Sequence, residues 1–432
     1  MSSPRVERRR GRRPPAIWTV RRDATMLGVM ATARVELAVV GGGLNGLSLG
    51  IACAAAGLDV AVLDREDPAT MLGERFDGRV SAIAYGSMRV LDGIGVWPLV
   101  AAEAEAIREI RVADNWAPFF LHYDHREIGV EPLGWIVENR HLRRALWDRA
   151  SRLPGLEMVA PMVVGHADYG AAATLVLADG SKLQAELIAA ADGKASPLRE
   201  AAGIRTLTWS YPQIGIVTTV RHARPHHGVA VEHFLPAGPF AILPMTGNRS
   251  SIVWTEAAEL APKLLALDGE AFQRELGQRF GDFLGEISVE GPRWSYPLGF
   301  LHAASYIGPR LALVGEAAHV IHPIAGQGLN LGIRDVAALA ECLVDGRRLG
   351  LDLGDAALLA RYQRWRRFDN VLLAGVTDGL NRLFSNSVPP VKIARDLGLA
   401  SVARIPPLKR LFMRHAMGVL GELPRLARGE AL

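Results

Sequence analysis

VELAVVGGGLNGLSLGIACAAAGLDVAVLDRE, residues 35–66, decides the fold. Leu37 to Val40 is a short apolar run ending at Gly41, the pattern of a strand buried inside a parallel sheet. Gly41, Gly43 and Gly46 follow at G-x-G-x-x-G spacing. The first permits a tight turn, the second lets the backbone approach a pyrophosphate, and the third lets the next helix pack close to the strand. That helix is expected from about Leu44 to Ala56, its N-terminal N–H groups and dipole favouring an anion. Gly57 ends it. A second strand, Val60 to Leu63, stops at Asp64, eighteen residues past Gly46, where a carboxylate can hydrogen-bond a ribose hydroxyl. A glycine trio alone is weak evidence. Strand, glycines, helix, strand and acid in this order specify a dinucleotide-binding βαβ unit. Leu37 to Leu58 also lacks any charge and is long enough to span a bilayer. Its glycines, its Asn45 and its change of period midway favour the βαβ unit instead.

The rest of the composition agrees. The 432 residues can bury a large core and suit two domains, or one with a large insertion. Cys53 and Cys342 sit among alanines and leucines and read as small buried hydrophobes, the usage of a reducing, cytoplasmic compartment. No CxxC or histidine-rich cluster suggests a metal. The net charge is +4, but residues 1–29 alone hold eight arginines against Glu7 and Asp23, a balance of +6 that leaves −2 elsewhere. Residues 1–33 read as a disordered basic arm, or as text upstream of a start at Met30. The arm is given no function, and no nucleic-acid partner is expected.

A second stretch, LALVGEAAHVIHPIAGQGLNLGIRD at 311–335, pairs with the first. Leu311 to Val314 reads as a strand and Gly315 as a turn that projects Glu316. Ala317 and Ala318 permit close backbone approach, His322-Pro323 makes a rigid bend, and Gly326-Gln327-Gly328 opens a helix. His319 among alanines reads as a satisfied core residue. A third segment, Leu187 to Ala191 followed by Asp192-Gly193 and Ser196-x-x-Arg199, is an apolar strand running into a turn and a helix start.

These motifs, with Asp77-x-Arg79, Ser81-Ala82-Ile83, Leu91-x-x-Ile94-Gly95-x-Trp97 and Asn139-Arg140-x-Leu142, resemble the ubiquinone-biosynthesis hydroxylases of the UbiH/UbiF type. These are class A FAD-dependent monooxygenases related to para-hydroxybenzoate hydroxylase. The resemblance covers about residues 33 to 428. It implies a Rossmann-like α/β FAD-binding domain of the glutathione-reductase type, an inserted antiparallel β-sheet substrate domain, and C-terminal helices. The expected limits are 34–106, 138–204 and 305–350 for the FAD domain, 107–137 and 205–304 for the substrate domain, and 351–432 for the helical region. It implies FAD beside Gly41, Gly43, Gly46, Asp64, Asp192, Gly193, Gly315 and Glu316. Arg79, Arg140, Gly326, Gln327 and Gly328 are then expected near the flavin ring. Relatives carry Asp where this chain has Glu316, which keeps the charge and adds a methylene. Asp335 is expected to be structural.

Alternation at 213–220, 229–235, 240–244 and 251–255 predicts antiparallel strands of the substrate domain. Phe240, Leu243, Pro244 and Pro323 are candidate walls for a polyprenylated aromatic ring, and His226-His227 reads as a surface turn. Residues 377–426 resemble the ubiquinone hydroxylases most specifically. They read as short helices broken at Pro389-Pro390 and Pro406-Pro407. Lys409, Arg410 and Arg414 alternate there with Leu411, Phe412, Met413, Met417 and Leu420, a pattern suited to the inner face of the cytoplasmic membrane. The implied chemistry is ring hydroxylation by a flavin C4a-hydroperoxide, with NADPH or NADH as donor. No catalytic base is named, and complexes with other quinone-biosynthesis enzymes remain open. The rivals are a class A monooxygenase on another aromatic or isoprenoid substrate, and a non-catalytic scaffold that binds no flavin.

Overall fold

A computed structural model describes residues 32–73, 78–114, 120–384 and 404–432. The arm up to residue 31, Asp77 and the Pro389-Pro390 break lie outside these residues.

Thr32–Val40 is a strand, Leu44–Ala55 a helix and Val60–Leu63 the next strand. Leu37, Ala38 and Val39 are fully buried because the strand is paired on both sides. Leu37 lies in parallel register with Val60 on one flank and with Leu187 on the other. Leu156–Val159 continues the sheet beyond Val60–Leu63, and Leu311–Leu313 continues it beyond Lys182–Ala190, both parallel. Ile307–Gly308 closes one edge, and the hairpin Val164–Tyr169 and Ala173–Leu177 is attached to Lys182–Ala190. The strands that end at Val40, Leu63, Ala190 and Leu313 therefore release their loops along one edge, where ligands of open α/β sheets bind. Helix Leu44–Ala55 packs against helix Gln327–Arg348, so the two stretches that carry the motifs meet. Cys53 and Cys342 are wholly buried, and burial pushes the Cys53 thiol up to about 12.

A second eight-stranded sheet runs His319–Val320, Ile287–Ala303, Thr206–His222, Arg249–Ala257, Gly238–Met245, Val229–Leu235, Glu109–Asp114 and Phe120–Asp124. The four strands expected from alternation all lie in it, antiparallel in the spatial order 213–220, 251–255, 240–244, 229–235. Val229–Leu235 pairs parallel with Glu109–Asp114. One face of this sheet, with Ile216, Val220, Ile242, Ile252 and Trp254, packs on Phe272, Leu276 and Phe280 of helix Gly269–Phe280. The other face carries the residues between them.

A three-stranded sheet of Val80–Ala84, Gly134–Glu138 and Ala104–Ile107 is hydrogen-bonded into neither ladder and packs on the second sheet through Ile107, Ile136 and Met245. The limits expected at 106/107 and 137/138 consequently cut through strands. At the C-terminal end, Ala356–Phe384 is one helix of 29 residues that takes in the start of the 377–426 stretch, while Pro406–Ala416 and Arg425–Arg428 are short helices as expected. The break expected at Pro406-Pro407 is present: Arg404 is helical, Ile405 is not, and the two prolines start helix Pro406–Ala416, since a first-turn proline forfeits no intrahelical bond. No helix among the described residues is long and apolar enough to cross a membrane.

Candidate functional site

The glycine trio forms the floor. A Cβ on Gly46 would lie 1.8 Å from the Gly41 carbonyl oxygen, so the helix packs on the strand only without a side chain there. A Cβ on Gly43 would meet nothing within 4 Å. The backbone therefore faces open space at the start of helix Leu44–Ala55, which has no side-chain cap and no acidic residue in its first turn. Asp64 stands at the end of the adjoining strand, its Oδ2 accepting from Gly42 N–H at 2.5 Å and its Oδ1 from Glu66 N–H at 2.8 Å.

The Asp192-Gly193 turn closes one side. A Cβ on Gly41 would lie 2.3 Å from the Ala191 carbonyl oxygen, so the two loops touch. Gly193 adopts φ +88°, which permits the turn. Burial pushes the Asp192 carboxyl up, opposed by its hydrogen bonds and the Arg199 charge. Its Oδ1 is buried without a partner among the described residues. Arg199, 4% exposed, donates to the carbonyls of Lys194 (2.9 Å) and Ala317 (3.0 Å), tying this turn to the next.

Gly315–Ala317 forms a single 3₁₀ turn at φ +62° for Gly315, with Glu316 exposed at its tip. Asp335 anchors it from below. This wholly buried carboxylate accepts from Gly315 N–H (3.2 Å), His319 Nε2 (2.5 Å), Arg366 Nε (2.9 Å) and Asn370 Nδ2 (3.2 Å). His319 is thus a satisfied core histidine, and Asp335 a structural carboxylate.

The segments that carry Arg79 and Arg140 meet through their backbones. Asn139 N–H donates to the Arg79 carbonyl (3.0 Å) and Ser81 Oγ to Asn139 Oδ1 (2.7 Å). Glu138, 4% exposed, accepts from Arg140 Nε (2.7 Å) and Arg249 Nη2 (3.0 Å). Gly326, at φ +61°, is the N-cap of helix Gln327–Arg348. Asn330 joins that helix to the Arg79 strand, accepting from Ala84 N–H and donating to the Ala82 carbonyl, each at 2.8 Å.

Asn45, Glu138, Arg249 and Asn330 were not anticipated. The signal for the two asparagines was present: a polar residue inside each glycine-rich helix start. Asn45 Oδ1 is buried without a partner among the described residues. The Glu138–Arg249 pair joins residues 111 positions apart and left no local trace.

The expected substrate wall needs correction. Phe240 is wholly buried on the helix side of the sheet, edge-on to Trp254 with ring centroids 6.1 Å apart. Leu243, three residues on in an extended strand, faces the other way and packs near Met245, Met413 and Met417. Pro244 is buried and Pro323 half-buried. His226 is likewise no surface residue: it is 7% exposed, its Nε2 2.8 Å from the Met245 carbonyl, while His227 is exposed.

An open backbone cradle, an uncapped helix start and two orphaned buried acceptors around its rim fit FAD. Residues 34–368 match the FAD binding domain family. The chain is 54% identical over 403 residues to the ubiquinone hydroxylase UbiL of Rhodospirillum rubrum, covering 92% of this chain and 93% of that protein. It is 34% identical to 3-demethoxyubiquinol 3-hydroxylase of Escherichia coli, over 90% and 100% of the two chains. It is 32% identical to the human mitochondrial ubiquinone biosynthesis monooxygenase COQ6, over 88% and 92%. In fold it is similar to p-nitrophenol 4-monooxygenase PnpA of Pseudomonas putida, with a TM-score of 0.74, 20% identity, and coverage of 89% and 99%. With an FAD cradle built from its own residues and relatives of this kind along nearly its whole length, the chain belongs to the ubiquinone-biosynthesis hydroxylases, a family of FAD-dependent monooxygenases.

Proposed function

We propose that this protein hydroxylates the ring of a polyprenylated phenol during ubiquinone synthesis, using NADPH or NADH and O2. The observation that carries this is the intact cradle of Gly41, Gly43 and Gly46 under the Asp192 and Glu316 turns, in a chain 54% identical to a ubiquinone hydroxylase. Bound flavin supplies the redox and oxygen-transfer chemistry. The chain's own groups bind and orient. Gly43 and Gly193 would admit the pyrophosphate, with Gly41 and Gly46 closing the backbone contacts beneath it; Asp64 would hold a ribose, and Gly315 and Glu316 the ribityl chain. Arg79 and Arg140 would lie beside the ring, and the start of helix Gln327–Arg348, with Gly326, Gln327 and Gly328, would favour negative charge on it. Leu243 and Pro323 would line the substrate side and exclude water, whereas Pro244 shares the face of Phe240. The described residues hold one dinucleotide cradle, so the nicotinamide donor visits the flavin cleft without a domain of its own.

The test is mass spectrometry of the prenyl-quinone pool in a strain lacking the gene. Ubiquinone should fall and a precursor one oxygen short should accumulate, naming the ring carbon. An unchanged pool, with no redundant enzyme present, would remove the ubiquinone assignment and leave a class A monooxygenase on another substrate. Purified protein without flavin would favour the scaffold.

The substrate tail also suggests a location, at the inner face of the cytoplasmic membrane. Met413 and Met417 turn inward, 1% and 6% exposed, whereas Leu411 and Phe412 on the same helix are 46% and 43% exposed beside Arg410 and Arg414. Such a face suits an anionic bilayer surface. Replacing Leu411 and Phe412 together by glutamate should lower cosedimentation with anionic liposomes severalfold at unchanged flavin content. Equal cosedimentation would leave the helix as a packed element with solvated charges.

A further inference from the structure

His322 stands immediately before Pro323 and the Gly326–Gly328 turn, and its side chain is wholly buried. Its ring is held on two sides. Tyr211 lies edge-on at 5.1 Å between centroids, and that tyrosine is itself fixed by donating its hydroxyl to Asp378 Oδ1 at 2.7 Å. Nε2 lies 3.3 Å from Gln213 Oε1.

The hydrogens on this chain of groups follow from donor and acceptor rules. The Ala237 carbonyl can only accept, so the Gln213 amide presents its NH2 there, at 2.7 Å. Gln213 Oε1 then faces His322 and can only accept, so Nε2 of His322 carries the ring hydrogen. Nδ1 is left as a bare lone pair. It is buried and has no partner among the described residues. Burial also holds this imidazole down to about 4, the Asp378 charge acting in the opposite direction, so at neutral pH the lone pair stays available. An orphaned buried acceptor is a standing cost of folding unless a ligand satisfies it.

Resting on the function proposed above, we infer that His322 Nδ1 is the hydrogen-bond acceptor for the ring hydroxyl of the phenolic substrate. A phenol offers the single O–H donor this atom lacks, and its apolar ring suits the cluster of Tyr211, Leu298, Phe300 and Ile321, whose tyrosine packs edge-on to His322. The bond fixes the in-plane rotation of the ring relative to the Pro323–Gly328 segment, and so decides which carbon is presented to the flavin. It also draws the hydroxyl proton away from the ring, which raises electron density at the neighbouring carbons. The proton stays on the phenol, because the imidazole is too weak a base to take it. His322 is thereby a substrate-binding residue, and Gln213 the positioning residue that sets its tautomer.

The experiment compares ortho-prenylphenol with its methyl ether, which has the same shape but no donor. Both are titrated into the FAD-loaded protein and followed by the perturbation of flavin absorbance. Wild type should bind the phenol about tenfold or more tightly than the ether, the factor given by one net hydrogen bond to a desolvated acceptor. In His322→Ala the ratio should fall to near one, with flavin content unchanged. A variant that keeps the wild-type ratio overturns the assignment while leaving the hydroxylase reading in place. Wild type that binds neither compound overturns the substrate reading and this assignment with it. A second measurement needs no variant activity: ¹⁵N-histidine spectra of the wild type, with His322→Ala used only to pick out the resonance. The Nε2–H tautomer supports the proposal, and the Nδ1–H tautomer overturns it.

Discussion

Gly43→Glu should give a folded protein that no longer retains FAD. The site is open, since a Cβ there would touch nothing within 4 Å. The carboxylate would therefore project, without disturbing the fold, into the space where the pyrophosphate must sit. Two like charges brought together in a partly desolvated cleft cost several kcal/mol, a loss of affinity on the order of 10²–10³-fold. Flavin absorbance of the purified variant, with circular dichroism to confirm the fold, decides the matter. A yellow Gly43→Glu protein would sink the pyrophosphate assignment. Gly46→Ala makes the contrast, because its methyl would collide with the Gly41 backbone oxygen at 1.8 Å. That variant should lose the fold and not merely the cofactor, so the two glycines are separable by experiment although one motif contains both.

The difference between those glycines also shows what the sequence could and could not reveal. Strand, turn, helix and acid at 37–64 are set by contacts between near neighbours, so spacing and residue type carry them. The Leu44–Ala55 helix and the strand Val60–Leu63 came out within a residue of expectation, while the first strand begins at Thr32, five residues before the apolar run that marked it. The antiparallel strands at 213–255 were legible for the same reason, because alternation records which face is buried. Alternation does not record what lies against each face. Phe240 looked like a pocket wall by composition, and only the helix Gly269–Phe280, packed across that side of the sheet, makes it core. The His226-His227 pair failed similarly: a turn signal fixes the backbone, while the burial of one ring against Met245 depends on a strand nineteen residues away. Buried ion pairs left the least trace of all. Glu138–Arg249 and Asp335–Arg366 each join separate elements, and in sequence each member is one charge among many.

Asp335→Asn should destabilise the protein by about 3 kcal/mol and loosen its hold on FAD, although Asp335 is two turns inside a helix with no access to the cleft. The carboxylate accepts four hydrogen bonds, and one of its donors, Arg366, is only 1% exposed. An asparagine keeps the shape but removes the charge, leaving the buried guanidinium to Asp369 and Asn370 alone. It also turns an acceptor into a donor on one side, where His319 Nε2 or Gly315 N–H now stands. Gly315 heads the turn that bears Glu316, so the anchor of that turn is lost with the charge. The pH dependence follows from the same contacts. Burial pushes the Asp335 carboxyl up, but His319 and Arg366 outweigh it and bring the group down to about 2. A carboxyl lowered in the folded state contributes stability above its unfolded value of about 4, and loses that contribution as pH falls toward 2. Denaturant midpoints of wild type should therefore drop more steeply between about pH 4 and 2 than those of Asp335→Asn, with the two curves converging at the acid end. Parallel curves, or a loss below about 1 kcal/mol at neutral pH, would show that the buried network is not what holds the flavin-side turn in place.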